Sequence, residues 1–130
     1  LEALARVQDH ASGLWWNVLD QGARENNYIE ASASLMFLYA FARGIALGIV
    51  PESGFRALLD KGFDGALRHL IREEKDGLLS VLHVCKTAGL GGRPGRDGSF
   101  AYYNSEPVVE NDFKGIASFI LAANARESIA

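Results

Sequence analysis

The chain has one cysteine, Cys85. An internal disulfide framework is therefore excluded, and the composition leans towards a reducing, cytoplasmic compartment. There is no excess of positive charge either. Thirteen Lys and Arg against sixteen Asp and Glu give a net charge of −3, mixed along the sequence, so no basic stripe points to nucleic acid. No uncharged apolar run approaches about 18 residues, so no membrane span is expected. No signal peptide is visible. Residues 1–9 already read as the middle of a helix, and the expectation is a piece of a longer polypeptide.

Several chemical patterns are missing as well. The glycines at 89, 91, 92, 95 and 98 do not form Gly-x-Gly-x-x-Gly, and no Gly-Lys-Ser/Thr follows, so they are not a phosphate cradle. His10, His69 and His83 are far apart and lack ligand spacing, so no metal site is expected. Ser32 and Ser34 sit at a helix start without a nucleophile-elbow pattern, and no Ser/His/Asp arrangement is suggested. Cys85 reads as a small buried residue.

What is present is a helical pattern in 130 residues, enough for one domain or part of one with a sizeable core. Leu1, Leu4, Ala5 and Gln8 make a short helical stripe that Ser12-Gly13 ends. Residues 14–19, with two tryptophans and a valine, read as a short strand. Residues 20–27 are polar and read as a loop. Residues 28–47 predict a helix stopped by Gly48 and Pro51. Its apolar residues, among them Ile29, Leu35, Met36, Phe37, Leu38, Phe41 and Ile45, go nearly all the way round, as in a helix buried on most sides. Over 53–74, Phe55, Leu58, Leu59, Phe63, Ala66, Leu67, Leu70 and Ile71 recur at steps of three and four, with charged residues opposite. That predicts an amphipathic outer helix. Asp76-Gly77 reads as a turn, 78–84 as a strand and 87–105 as a Gly-rich loop. Residues 111–127 predict another helix that is apolar on most sides.

The pairs Gly13-Leu14 and Gly77-Leu78 each open a short strand that leads through a loop into an apolar helix. This weak repeat suggests stacked helical hairpins. Enclosed helices alternating with amphipathic outer ones are the pattern of an α/α toroid. The expected class is therefore all-α: part of an (α/α)6 ring, its last third, with about five helices and short hairpin-like strands in the connections. The whole chain, 1–130, is expected to be a single incomplete domain.

The run Gly13-Leu14-Trp15-Trp16-Asn17-Val18-Leu19-Asp20 followed by Asn27-Tyr28-Ile29-Glu30-Ala31-Ser32-Ala33-Ser34-Leu35-Met36-Phe37 resembles glycoside hydrolase family 105, the unsaturated rhamnogalacturonyl hydrolases and related uronyl hydrolases. The likeness continues through Tyr39-Ala40-Phe41-Ala42-Arg43-Gly44-Ile45, Val84-Cys85-Lys86-Thr87-Ala88-Gly89-Leu90-Gly91, Asp97-Gly98-Ser99-Phe100-Ala101-Tyr102-Tyr103, Ser105-Glu106-Pro107 and Glu110-Asn111-Asp112-Phe113-Lys114-Gly115. The family's Trp-x-Arg-Gly-x-Gly-Trp motif has no match, and its catalytic aspartates lie earlier. The resemblance thus implies the C-terminal portion of such an enzyme, without the general acid and with no cofactor. The implied chemistry is hydration: an Asp protonates C4 of a 4,5-unsaturated uronic acid, water adds at C5, the hemiketal opens and the next sugar leaves. One carboxyl serves as acid and then base.

In such rings the pocket lies where inner helices begin, which nominates Glu30, Ser32 and the group Glu110, Asn111 and Asp112. Capping of free backbone N–H groups is the competing role for these residues. Trp15 and Trp16 alternate, so one belongs to the core and the other is a candidate sugar platform. Tyr102 and Tyr103 in the Gly-rich loop divide in the same way. Glu106 and Lys114 either contact sugar hydroxyls or a carboxylate, or pair to hold the loop to the last helix. The expected partners are an unsaturated uronyl oligosaccharide and either the remainder of the toroid or a second copy. The competing reading is a non-catalytic helical-hairpin module for carbohydrate binding or assembly.

Overall fold

The computed structural model describes residues 1–22, 24–92 and 95–130. The loops expected over 20–27 and 87–105 include residues 23, 93 and 94, which lie outside the described residues. The described elements run in the order α1 (Glu2–Arg6), α2 (Ala31–Ala46), α3 (Glu52–His69), β1 (Ile71–Glu73), β2 (Leu79–Val81), β3 (Val84–Cys85), α4 (Phe100–Tyr103), β4 (Val108–Val109) and α5 (Phe113–Glu127). None of these helices is long and apolar enough to cross a membrane.

Helix α2 begins three residues later than its apolar pattern, because Glu30 is extended (φ −94°, ψ 124°) and its carboxylate accepts from the Ala33 amide as an N-cap. The helix ends at Leu47, after which Gly48 turns left-handed and donates to Ile45 O. Pro51 then leads into α3, whose acidic first residue Glu52 and basic last turn, Arg68 and His69, suit the helix dipole.

α2 lies against α5 on one side and α3 on the other. Leu14, Trp15, Leu35, Leu38, Phe41, Leu59, Leu70 and Val84 are fully buried between these elements. Each such aliphatic or Phe side chain contributes about 1.5–3 kcal/mol of burial energy. Trp15 meets Phe37 and Phe41 edge-on at 5.4 and 5.6 Å, and Phe41 meets Phe55 at 5.1 Å. α3 comes down directly onto the main chain of residues 12–13. A Cβ at Gly65 would overlap the Ser12 carbonyl.

The structure departs from the sequence expectations at several boundaries. Residues 14–19 do not form a strand. Only Trp16 pairs, with Ile29, as an isolated antiparallel bridge, since the partner segment turns into α2 at Ala31. The helix expected over 53–74 stops at His69. Leu70 O accepts from Leu82 N at 2.8 Å, which draws the chain into β1, antiparallel to β2 with Arg72 opposite Ser80. The strand expected over 78–84 is broken in two by His83, which is left-handed at φ 58°. β3 instead pairs with β4, Cys85 opposite Val108. The loop over 87–105 contains α4, capped by the Ser99 hydroxyl accepting from Tyr102 N. The last helix starts at Phe113 because Asp112 is its N-cap.

The two helices expected to be enclosed are open along one face. Met36 on α2 is 46% exposed, and on α5 Phe113, Ile120 and Leu121 are 86%, 53% and 49% exposed. These positions on α5 fall at spacings of seven and eight, one stripe of the helix.

Candidate functional site

The first turn of α2 forms the floor of a cleft of about 460 Å³. Trp16, Asn17 and Leu19 line one side, and Cys85, Lys86, Thr87 and Lys114 the other, with Glu30, Ser32, Ala33 and Phe37 between them. The two sides are joined through Glu30. Its Oε1 accepts from Cys85 N at 3.0 Å and from the Ser32 hydroxyl at 2.9 Å, while its Oε2 accepts from Ala33 N at 2.7 Å. Glu30 N donates to Trp15 O at 3.0 Å, and Ala31 N donates to His83 O at 3.0 Å. Residues 15, 30–33 and 83–85 are thus bonded into one unit. The Glu30 carboxylate is the only carboxylate lining the cleft among the described residues.

Lys114 stands at the start of α5, where its Nζ donates to Lys86 O at 3.0 Å and to Asp112 Oδ1 at 2.9 Å. The Lys114 ammonium and amide beside Asp112 hold that carboxyl below its ordinary range. The Tyr28 hydroxyl is buried without a hydrogen-bond partner among the described residues. Burial pushes its phenol well above the usual range, helped by the neighbouring Cys85 thiol and by the negative charges of Glu30 and Glu106.

The structure brings Trp16, Glu30, Ser32 and Lys114 together at this cleft. The other candidates go elsewhere. Trp15 is completely buried and donates from Nε1 to Leu4 O at 2.8 Å, so it is the core member of the tryptophan pair and is removed as a substrate contact. Tyr102 donates to Glu106 Oε1 at 2.7 Å and accepts from Gly89 N at 3.1 Å, which ties the Gly-rich loop to itself. Among the described residues Glu106 does not pair with Lys114; it lies 3.9 Å from Arg96. Tyr103 lines a neighbouring cleft of about 420 Å³ with Asn17, Leu19 and Phe100. Asp112 lies at the foot of α5 as cap and as partner of Lys114. Asn111 completes β2, its Oδ1 accepting from Val81 N at 2.9 Å. Lys86, Thr87 and Asn17 were not singled out in the sequence. The signal for Lys86 and Thr87 was their place directly after the short strand that leads towards the Gly-rich loop.

Residues 1–129 match the family described as Glycosyl Hydrolase Family 88. The chain belongs to that family. A family 105 glycoside hydrolase of C. acetobutylicum superposes on the family 88 chain with a TM-score of 0.94 at 47% identity, covering 98% of this chain and 35% of that one. A possible family 105 member from Salmonella enterica gives a TM-score of 0.72 at 24% identity, over 98% of this chain and 30% of that one. That second likeness speaks for the fold alone. The Agrobacterium fabrum protein Atu3128 is 37% identical over 116 residues, 85% of this chain and 50% of its own length. The chain thus spans half of that relative and about a third of the solved structures. The five helices and short antiparallel strand pairs among the described residues match part of the (α/α)6 toroid of family 105.

Proposed function

We propose that this chain is the C-terminal wall of the active-site cleft in a hydrolase that removes 4,5-unsaturated uronic acid from lyase-generated, rhamnogalacturonan-like oligosaccharides by hydration of the C4=C5 bond. The observation that carries this reading is the state of Glu30. With Cys85 N–H, Ala33 N–H and the Ser32 hydroxyl all donating to it, the one carboxylate that lines this cleft among the described residues is committed to holding the site together. The acid that protonates C4 then comes from outside these 130 residues. Lys86 and Lys114 bring positive charge to the cleft that suits a uronate carboxylate, and Trp16 supplies an aromatic surface for a sugar ring. The 130-residue chain alone should leave the ultraviolet absorbance of an unsaturated uronyl disaccharide unchanged. Steady loss of that absorbance would overturn the assignment of the acid to another segment.

The open stripe of Met36, Phe113, Ile120 and Leu121 supports the remaining part of this reading, in which further hairpins of the toroid or a second copy cover α2 and α5. Light scattering of the isolated chain should give a mass above that of a monomer. A monodisperse monomer at high concentration would count against self-association.

A further inference from the structure

A second cleft, of about 480 Å³, is also lined by Trp16. That volume falls within the range of about 300–1,000 Å³ common for small-ligand sites. Trp16 borders both clefts. Its indole is held in place by the loop that lies on it: a Cβ at Gly22 would come within 2.6 Å of Nε1, so only glycine allows this approach. Tyr28, Ile29, Leu70 and Ala11 continue the apolar surface, and Asp9, Ser12, His69 and His83 supply the polar groups.

This lining differs in charge from that of the first cleft. Two lysines line the first. No lysine or arginine lines the second among the described residues, and it carries Asp9. Partial burial raises the Asp9 carboxyl, but the Ser12 amide and hydroxyl, with a smaller pull from Trp16, outweigh it and hold it below its ordinary range. Asp9 therefore stays a carboxylate at neutral pH and repels anionic ligands. The two imidazoles offer hydrogen bonds to hydroxyls in either tautomer. A flat aromatic and aliphatic surface with hydrogen-bonding groups around it matches a sugar ring, which has apolar C–H faces and a polar perimeter.

We propose that this second cleft binds a neutral hexopyranose unit, stacked on Trp16 and held through its hydroxyls by His69, His83 and Asp9. The assignment is independent of the chemistry in the first cleft, because it rests on a different set of residues with Trp16 alone in common.

The test is an NMR titration of the 130-residue chain with methyl β-glucopyranoside and methyl β-galactopyranoside, with glucuronate as the anionic arm. The expected result is saturable shifts of the His69 and His83 imidazoles and the Trp16 indole N–H with at least one neutral glycoside. Glucuronate should bind there at least ~10-fold more weakly. A variant with His83→Gly and His69→Ala should lose affinity at least ~10-fold. His83 is already left-handed at φ 58°, so glycine removes the imidazole without backbone strain, and His69 is exposed in the last turn of α3. Absence of saturable shifts with both glycosides would overturn the proposal. So would shifts confined to Lys86 and Lys114, unchanged affinity in the double variant, or glucuronate binding equally well.

Discussion

Trp15→Ala should destabilise the chain by about 4 kcal/mol, the range for truncating a buried tryptophan. For a domain of this length that is a fall of roughly 15 °C in melting temperature. Three losses combine. The indole is completely buried, so its removal opens a cavity in the centre of the core. Its edge-on contacts with Phe37 and Phe41 disappear. The Leu4 carbonyl loses the Nε1 donor that ties the N-terminal helix to the body. Trp15→Phe restores most of the volume but not the donor, and should cost about half as much. Urea unfolding followed by far-ultraviolet circular dichroism measures both. A cost for Trp15→Ala below about 1 kcal/mol would mean that Trp15 is not the core member of the pair.

Glu30→Ala comes next, at about 3 kcal/mol. Loss of the N-cap of α2 contributes about 1 kcal/mol. The larger part arises at Cys85, whose buried amide is left without its acceptor, and at the Ser32 hydroxyl, which loses both carboxylate oxygens. Glu30→Gln keeps one carbonyl oxygen at nearly the same place and should cost about 1 kcal/mol. The ordering Ala well below Gln is the diagnostic outcome in thermal or urea unfolding. Equal and small costs for the two would show that the carboxylate is free of these bonds.

Local chemistry announces some features of this chain and long-range contacts decide others. The apolar character of residues 35–41 places α2 in the core because Leu35, Leu38 and Phe41 recur at helical steps, and all three are fully buried. Asp76-Gly77 and Asp112 act locally, as turn and cap, and both are readable from residue type. The end of α3 is not readable. Leu70 and Ile71 continue the helical spacing, and no glycine or proline intervenes before Gly77; the chain leaves the helix because Leu82 N bonds Leu70 O. Histidine is among the residues that turn left-handed more often than most, but nothing around His83 requires it, so the break there is not readable beforehand. At the site, helix-start logic found Glu30 and Ser32. Alternation along 14–19 divided the tryptophans without saying which one faces the cleft. Tyr102, one of two tyrosines between which the sequence does not choose, and Glu106, expected either at a sugar or in a salt bridge with Lys114, bond to each other four residues apart across a short helix.

The hydrogen bond from Cys85 to Glu30 spans 55 residues of chain, whereas that between Trp15 and Ser34 spans 19. Closing the longer loop costs roughly 1 kcal/mol more in chain entropy. The Trp15–Ser34 strap and the α2–α3 pair draw on no residue beyond 69, whereas the cleft does. The cleft takes residues from 16 to 114 and is complete only when most of the chain is present. It comes into being only when β3 arrives and delivers the Cys85 amide to a carboxylate that has been waiting for it.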